Sequence, residues 1–342
     1  MPDVFTYQEV LDETDGQLRH LLLGNGFSID CKPNLFRYDN LFDRADFTGL
    51  EHLRDVFAAL GTTNFEAAIR ALRNFAALVP IYVPNPNAIV LRALADAEAI
   101  KEILVKSVAD SHPDRPHAIT DAEYLNCRNF LRPYTSFNTL NYDLLLYWTL
   151  MHGELGDERI VFDDGCRRPA EDMDADYVTW DPDNSNQQNL RFLHGALHLF
   201  DTGTEVQKYT WINTQVPLID QIREALSNEY FPVYVSEGRS SEKLERIRHN
   251  DYLSKMWRAF TSLTANMVVF GHSLDESDDH IFVNRIGYHG KTSRLYISLL
   301  GDPESDANRR KIQKAEAIAD LRPRRKPLEV KFFDAESAHV WR

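Results

Sequence analysis

Four apolar runs in this chain each stop at a polar motif, and that recurrence constrains the fold more than any bulk property. His20-Leu21-Leu22-Leu23 runs into Gly24-Asn25-Gly26-Phe27-Ser28, and Thr139-Leu140 into Asn141-Tyr142-Asp143. Phe192-Leu193 runs into His194-Gly195, and Met267-Val268-Val269-Phe270 into Gly271-His272-Ser273-Leu274. A strand that is apolar at successive positions is buried on both faces. Such strands belong to parallel sheets covered by helices on either side, the doubly wound α/β class. Ligands of such sheets bind at the carboxyl ends of the strands, and all four motifs fall there.

Periodicity places the remaining elements. A short helix is expected over 5–15 and the first strand over 19–23. Leu50, Leu53, Phe57 and Leu60 recur at helical spacing, as do Phe65, Ile69, Leu72 and Ala76 behind a capping box from Thr63 to Glu66. Pro80, Pro84 and Pro86 break that pattern, and further helices are expected over 88–108 and 121–131. The block 50–131 therefore reads as a helical insertion after the first βα unit of a single 1–342 domain. Residues 152–189 are polar, with short hairpin strands expected near 159–162 and 176–180. Strands at 190–194, 206–211, 232–236, 266–271, 294–300 and 328–334 then alternate with helices over 214–228, 239–264 (broken near Asn250), 277–288 and 305–318.

Composition excludes several classes. The formal charge of −14 argues against non-specific nucleic-acid binding, which needs a basic face. Arg322, Arg324, Arg325 and Lys326 lie among prolines and read as a solvated loop. No apolar run is long enough to span a bilayer. The acidic N-terminus lacks the marks of a secretory signal. Cys31, Cys127 and Cys166 are too few for a four-cysteine zinc ribbon, and their odd number fits a reducing cytoplasm. No metal is expected.

Each motif has a plain structural reading beside a chemical one. Gly24 and Gly26, freed from a Cβ, can take φ > 0 and let backbone N–H groups approach a phosphate, with Ser28 as a hydroxyl donor; the same residues would make an ordinary turn. Asn141 and Asp143 can cap the next helix. His194 can be a buried histidine bonded to backbone. His198 is expected in the following turn or strand, away from the edge, and His272 ranks behind His194. Asp275, Glu276, Asp278 and Asp279 lack the pattern of an EF-hand and read as acids complementing a helix N-terminus.

In order, Gly-x-Gly-x-Ser, Thr-x-Asn-x-Asp, His-Gly and Gly-x-Ser-Leu resemble the sirtuin superfamily. Phe36-Arg37 after Pro33 is similar to the sirtuin loop that closes over the nicotinamide ribose, although Asn34-Leu35 departs from that loop's usual sequence. The resemblance covers roughly 17–47, 133–150, 188–200 and 264–300. Without a zinc module and with a helical insertion, the chain resembles the bacterial sirtuin-like NAD hydrolases of anti-phage defence. The resemblance implies a sirtuin-like Rossmann sheet and NAD⁺ as substrate. It implies catalytic roles for Asn141 and His194, and cofactor contacts from Gly24, Asn25, Gly26, Ser28, Phe36, Arg37, Asp143, Gly271 and Ser273.

The implied reaction releases nicotinamide from the ribose C1′ and leaves ADP-ribose. Asn141 would orient the ribose or the attacking water, His194 would take the proton, and Asp143 would fix the nicotinamide carboxamide or the local backbone. The alternatives are an NAD-dependent protein deacylase, which normally needs the missing zinc module, and a non-catalytic NAD or ADP-ribose-binding subunit, which needs neither Asn141 nor His194. A nicotinamide dehydrogenase fits poorly, since Ile29 stands where its third glycine belongs. The resemblance also implies control by homo-oligomerisation or by a separate sensor chain. Known sensors of such enzymes are a HerA-type translocase, a short Argonaute, or an inosine-triphosphate-pyrophosphatase-like protein as in Kongming-type defence. The length of the chain favours the last, and the insertion 50–131 is the expected interface.

Overall fold

The computed structural model describes residues 2–342 except 34–40, 64, 111, 112, 114, 154–158, 173, 184–186, 211–215, 229, 231 and 236–239. For residues 41, 66, 105, 106, 108–110, 223, 226, 227 and 242 it describes the backbone only. The Glu66 side chain of the expected capping box therefore lies outside the described residues.

The strands in chain order are β1 (Val4–Phe5), β2 (Arg19–Leu23), β3 (Ser136–Thr139), β4 (Cys166–Arg167), β5 (Tyr177–Trp180), β6 (Leu190–Phe192), β7 (Gly195–Asp201), β8 (Val206–Tyr209), β9 (Pro232–Tyr234), β10 (Thr264–Phe270), β11 (Lys291–Leu299) and β12 (Glu329–Asp334). Seven of them form one sheet in the order β1-β12-β11-β10-β2-β3-β6, with every pairing parallel. Helices flank it, as the doubly apolar strands require. Leu21, Leu22, Leu23, Val268, Val269, Leu295 and Ile297 are sealed from solvent in its centre. Burying each such side chain stabilises the fold by about 1.5–3 kcal/mol. This is a mixed α/β architecture compatible with a Rossmann-like fold.

The other five strands were not all expected where they lie. β4-β5-β8-β7-β9 make a second sheet whose pairings are all antiparallel. Sequence alternation assigns 206–211 and 232–236 to the main sheet; the structure places β8 and β9 in this second one. The strand expected near 159–162 lies instead at β4, while β5 is where it was expected. β1 occupies the start of the segment read as helix, which begins at Tyr7 behind a Thr6 capping box.

Between β2 and β3 the block 50–131 is helical, with helices His52–Leu60, Phe65–Tyr82, Asn87–Asp110 and Asp121–Leu131. Pro80 does not end the second of these, which runs two residues further, to Tyr82, before the reversal. Helices Ser240–His249 and Asp251–Thr261 are separated at Asn250, whose side chain caps the second by accepting from the Leu253 N–H at 3.0 Å. The C-terminus closes on the first motif. Trp341 Nε1 donates to Phe27 O at 2.9 Å, and the two rings lie 5.1 Å apart. Among the described residues no helix is long and apolar enough to cross a membrane.

Candidate functional site

Register brings the four motifs together. Phe270 pairs with Leu23, Leu23 with Thr139, and Thr139 with Phe192. The last paired residues of β10, β2, β3 and β6 therefore stand in one row across the carboxyl edge. Two positions beyond them come His272, Asn25, Asn141 and His194. The chain leaves β2 toward β3 and later returns to β10 on β2's other side, so the strand order reverses between β2 and β10. Such a reversal is where open α/β sheets bind ligands.

The glycines of the first motif serve a close approach. A Cβ on Gly26 would lie 2.6 Å from Gly271 Cα, and one on Gly24 would lie 2.7 Å from His272 Cβ. Gly26 N–H donates to Gly271 O at 2.7 Å. Two strand-end loops thus meet backbone to backbone. The positive φ expected of Gly24 or Gly26 falls on Gly271, at 70°, because that residue turns the second loop into the contact. Gly195 is required for another reason. It carries φ 77°, and a Cβ there would fall 1.7 Å from Val233 O, where the chain passes from β6 into the second sheet.

Asn141, Ser28 and Asp143 form one buried unit. Asn141 Nδ2 donates to Gly24 O and to Ser28 Oγ, each at 3.0 Å. Ser28 Oγ donates to Asp143 Oδ2, and Asp143 Oδ1 accepts from the Leu145 N–H at 2.9 Å. Asp143 thereby binds the first N–H of helix Leu145–Met151 from the position before its N-cap, Leu144. Burial pushes its carboxyl above the ordinary range, against the hydrogen bonds from Ser28 and Leu145. The hydroxyl proton of Ser28 and both Asp143 oxygens are therefore engaged within the protein. The atom Asn141 can still turn toward a ligand is Oδ1.

His194 belongs to a second buried unit that sequence reasoning only half anticipated. Its Nε2 lies 2.9 Å from His280 Nε2 and 3.9 Å from Asp278 Oδ1. Asp278 Oδ2 accepts from His272 Nε2 at 3.0 Å, and Lys243 Nζ donates to Oδ1 at 2.9 Å. His272 Nδ1 accepts from the Leu274 N–H at 2.8 Å, which fixes this ring as the Nε2–H tautomer. Asp278 is thus a buried ionic hub, where the sequence suggested only a helix-terminus acid. Asp275 does act as a cap, accepting from the Ser277 N–H. Burial alone would raise the Asp278 carboxyl. The hydrogen bond from His272 and the charges of its partners His194 and Lys243 outweigh it and hold the group well below the usual carboxylate range. Burial drives His194 far below its ordinary value and His280 down to about 4, although Asp278 pulls both the other way.

The two units touch. Gly24, which holds Asn141, packs on His272, which holds Asp278, which faces His194. Asn25 is half-buried at the start of helix Gly26–Cys31, Ser273 is exposed, and Gly271 N–H donates to Ser298 Oγ at 3.0 Å. Phe36 and Arg37 lie outside the described residues. His198 is buried in β7 beside Tyr147 and Phe192. His194, Asp278 and His280 offer three metal-ligating atoms within 4.8 Å of one another, although no metal was expected. His280 and Lys243 carried no sequence signal. His280 stands eight residues after His272 in the same connection, the only hint available.

The molecule is therefore an α/β protein with an amide–hydroxyl–carboxylate unit and an imidazole–carboxylate unit at the switch point of a parallel sheet. Over residues 21–341 it matches the family described as a domain of unknown function (DUF4917), and it belongs to that family. No curated protein matches its sequence.

Proposed function

We propose that this chain hydrolyses the nicotinamide–ribose bond of NAD⁺ with a sirtuin-like Rossmann sheet. One observation carries the reading. Asn141 and His194, placed by separate strands, are linked through Gly24, His272 and Asp278 at one sheet edge. The reaction passes through an oxocarbenium-like state, so the protein must mainly position groups and accept a proton. Asn141 Oδ1 orients the ribose or the incoming water. His194 takes the proton as the C1′–O bond forms. Nicotinamide leaves with the electrons of the C1′–N bond, and ADP-ribose and one proton are the other products. Asp278 stabilises the imidazolium that results.

Of the two roles the resemblance implies for Asp143, its contacts favour fixing the local backbone, at the Leu145 N–H, and it also supports Asn141 through Ser28. One detail differs from what the resemblance implies. The glycine turn supplies packing, and the Gly26 N–H is already bonded. The test is incubation of the purified chain with NAD⁺, with and without the product of a neighbouring gene, followed by identification of products. Nicotinamide and ADP-ribose support the reading. Acetyl-ADP-ribose from an acetyl-lysine peptide would indicate a deacylase, and bound but intact NAD⁺ a binding subunit.

A cytoplasmic NAD hydrolase has to be restrained, and the helical hairpin of Phe65–Tyr82 and Asn87–Asp110 supplies a surface for that. At its tip Ile81, Tyr82 and Leu91 are 71%, 79% and 68% exposed. Exposed apolar clusters of this kind mark protein contacts. The occupant is a second copy or a sensor chain of the kinds named above. Ile81→Glu with Tyr82→Glu should abolish that association on gel filtration while leaving the fold intact.

A further inference from the structure

His194 and His280 present unprotonated or singly protonated Nε2 atoms to each other at 2.9 Å, and something must lie between them. The candidates are a proton and a metal ion, and the ring geometry separates them. The centroids are 5.1 Å apart with the planes only 21° from parallel. That separation exceeds the nitrogen–nitrogen distance by about one ring width, so the rings meet end to end. Their lone pairs point along the line that joins the two nitrogens, which is the geometry of a linear N–H···N bond. An ion about 2.0–2.1 Å from each nitrogen would have to sit well off that line and off both lone-pair axes. The Lys243 ammonium, 2.9 Å from Asp278 Oδ1, also already neutralises the carboxylate that would be the third ligand of a metal.

We propose that His280 is a positioning residue that holds His194 as the Nε2–H tautomer, so that Nδ1 is the atom that accepts the proton. This rests on the hydrolase reading above. Asp278 Oδ1, 3.9 Å from His194 Nε2, draws the shared proton to the His194 side. His280 then accepts at Nε2 and carries its own proton at Nδ1, which faces Ser240 Oγ at 3.4 Å. Ser240 Oγ also accepts the His280 backbone N–H at 2.7 Å and so anchors the ring. His194 Nδ1 makes no hydrogen bond among the described residues and is not sealed from solvent. When it takes a proton from water, the Nε2–H stays on His194, donating to His280, and the new positive charge faces Asp278. Lys243 and His272 hold that carboxylate in place.

The experiment is histidine-selective ¹⁵N NMR of the full chain, with His194 assigned by its loss in His194→Ala. The proposal expects a pyridine-type Nδ1 and a pyrrole-type Nε2 at His194 near pH 7.5. His280→Ala should mix the two tautomers, and His280→Gln, which keeps an acceptor, should restore the original one. NAD⁺ cleavage should fall by about tenfold or more in His280→Ala, with a shifted pH profile, and should recover partly in His280→Gln. A pyrrole-type Nδ1 at His194 in the wild-type chain, or one equivalent of metal in elemental analysis that displaces the shared Nε2 proton, overturns the proposal. The NMR signature does not depend on turnover. The expected tautomer in a chain that leaves NAD⁺ intact would contradict the hydrolase reading alone.

Discussion

Among single residues, Asn141 and His194 would carry the reaction, one orienting the ribose or water and the other taking its proton. A positioned general base contributes about 10²–10⁴ in rate. His194→Ala should therefore raise the barrier by about 3–5 kcal/mol without unfolding the chain; steady-state nicotinamide release together with a circular dichroism melt checks both. The glycines make a separate prediction. Gly26→Ala would push a Cβ to 2.6 Å from Gly271 Cα, and overpacking of this kind costs about 1–3 kcal/mol. Its melting temperature should drop, and a variant as stable as wild type would show that the two loops do not meet as described. Asn141 and His194 were legible from sequence because each follows an apolar run directly. Asp278 and His280 were not, because an acid-rich helix start looks the same whether its carboxylates face water or a buried lysine.

At the scale of elements, hydrophobic runs revealed the parallel sheet and polar alternation concealed the second one. Met267-Val268-Val269-Phe270 is rich in β-branched residues, apolar on both faces and stopped by Gly271, which marks a doubly buried strand, whereas Val206 to Tyr209 alternates and fits either a sheet edge or a hairpin. Its true neighbours are set by long-range pairing with β5 and β7. Pro80 misled for a local reason: it removes the one hydrogen bond to the carbonyl four residues back, and two residues from the end of a long helix that loss does not stop the helix. The second sheet also holds a buried ion pair that sequence could not reveal. Lys208 Nζ bonds Asp164 Oδ2 with both side chains nearly sealed. Burial opposes both charges, yet the partners hold Lys208 above and Asp164 below their ordinary values. Lys208→Met alone should destabilise the chain by about 3–5 kcal/mol because it strands a buried carboxylate. Adding Asp164→Leu should recover much of that loss in urea unfolding, and equal losses in single and double variants would refute the pair's role.

At the scale of the whole molecule, buried histidines tie stability to pH. Burial holds His20 and His280 at about 4 in the native state, while an unfolded histidine titrates near about 6.5. Between those values the unfolded chain binds protons that the folded chain refuses, so stability rises with pH across that window. The slope is about 1.4 kcal/mol per pH unit for each such histidine. Urea midpoints should level off near pH 7 and fall from pH 6 to pH 5. A flat profile there would mean that the imidazoles are charged in the native state. The same burial concentrates the site's chemistry in His194, since its neighbours are fixed by hydrogen bonds at the carboxyl edge. The most direct measurement is chromatographic quantification of NAD⁺ after incubation with the wild-type chain and with folded Asn141→Ala and His194→Ala, each with and without the product of the neighbouring gene. The account predicts stoichiometric nicotinamide and ADP-ribose from the wild type and near-background release from both variants. Intact NAD⁺ in every wild-type reaction, or undiminished cleavage by His194→Ala, would contradict it.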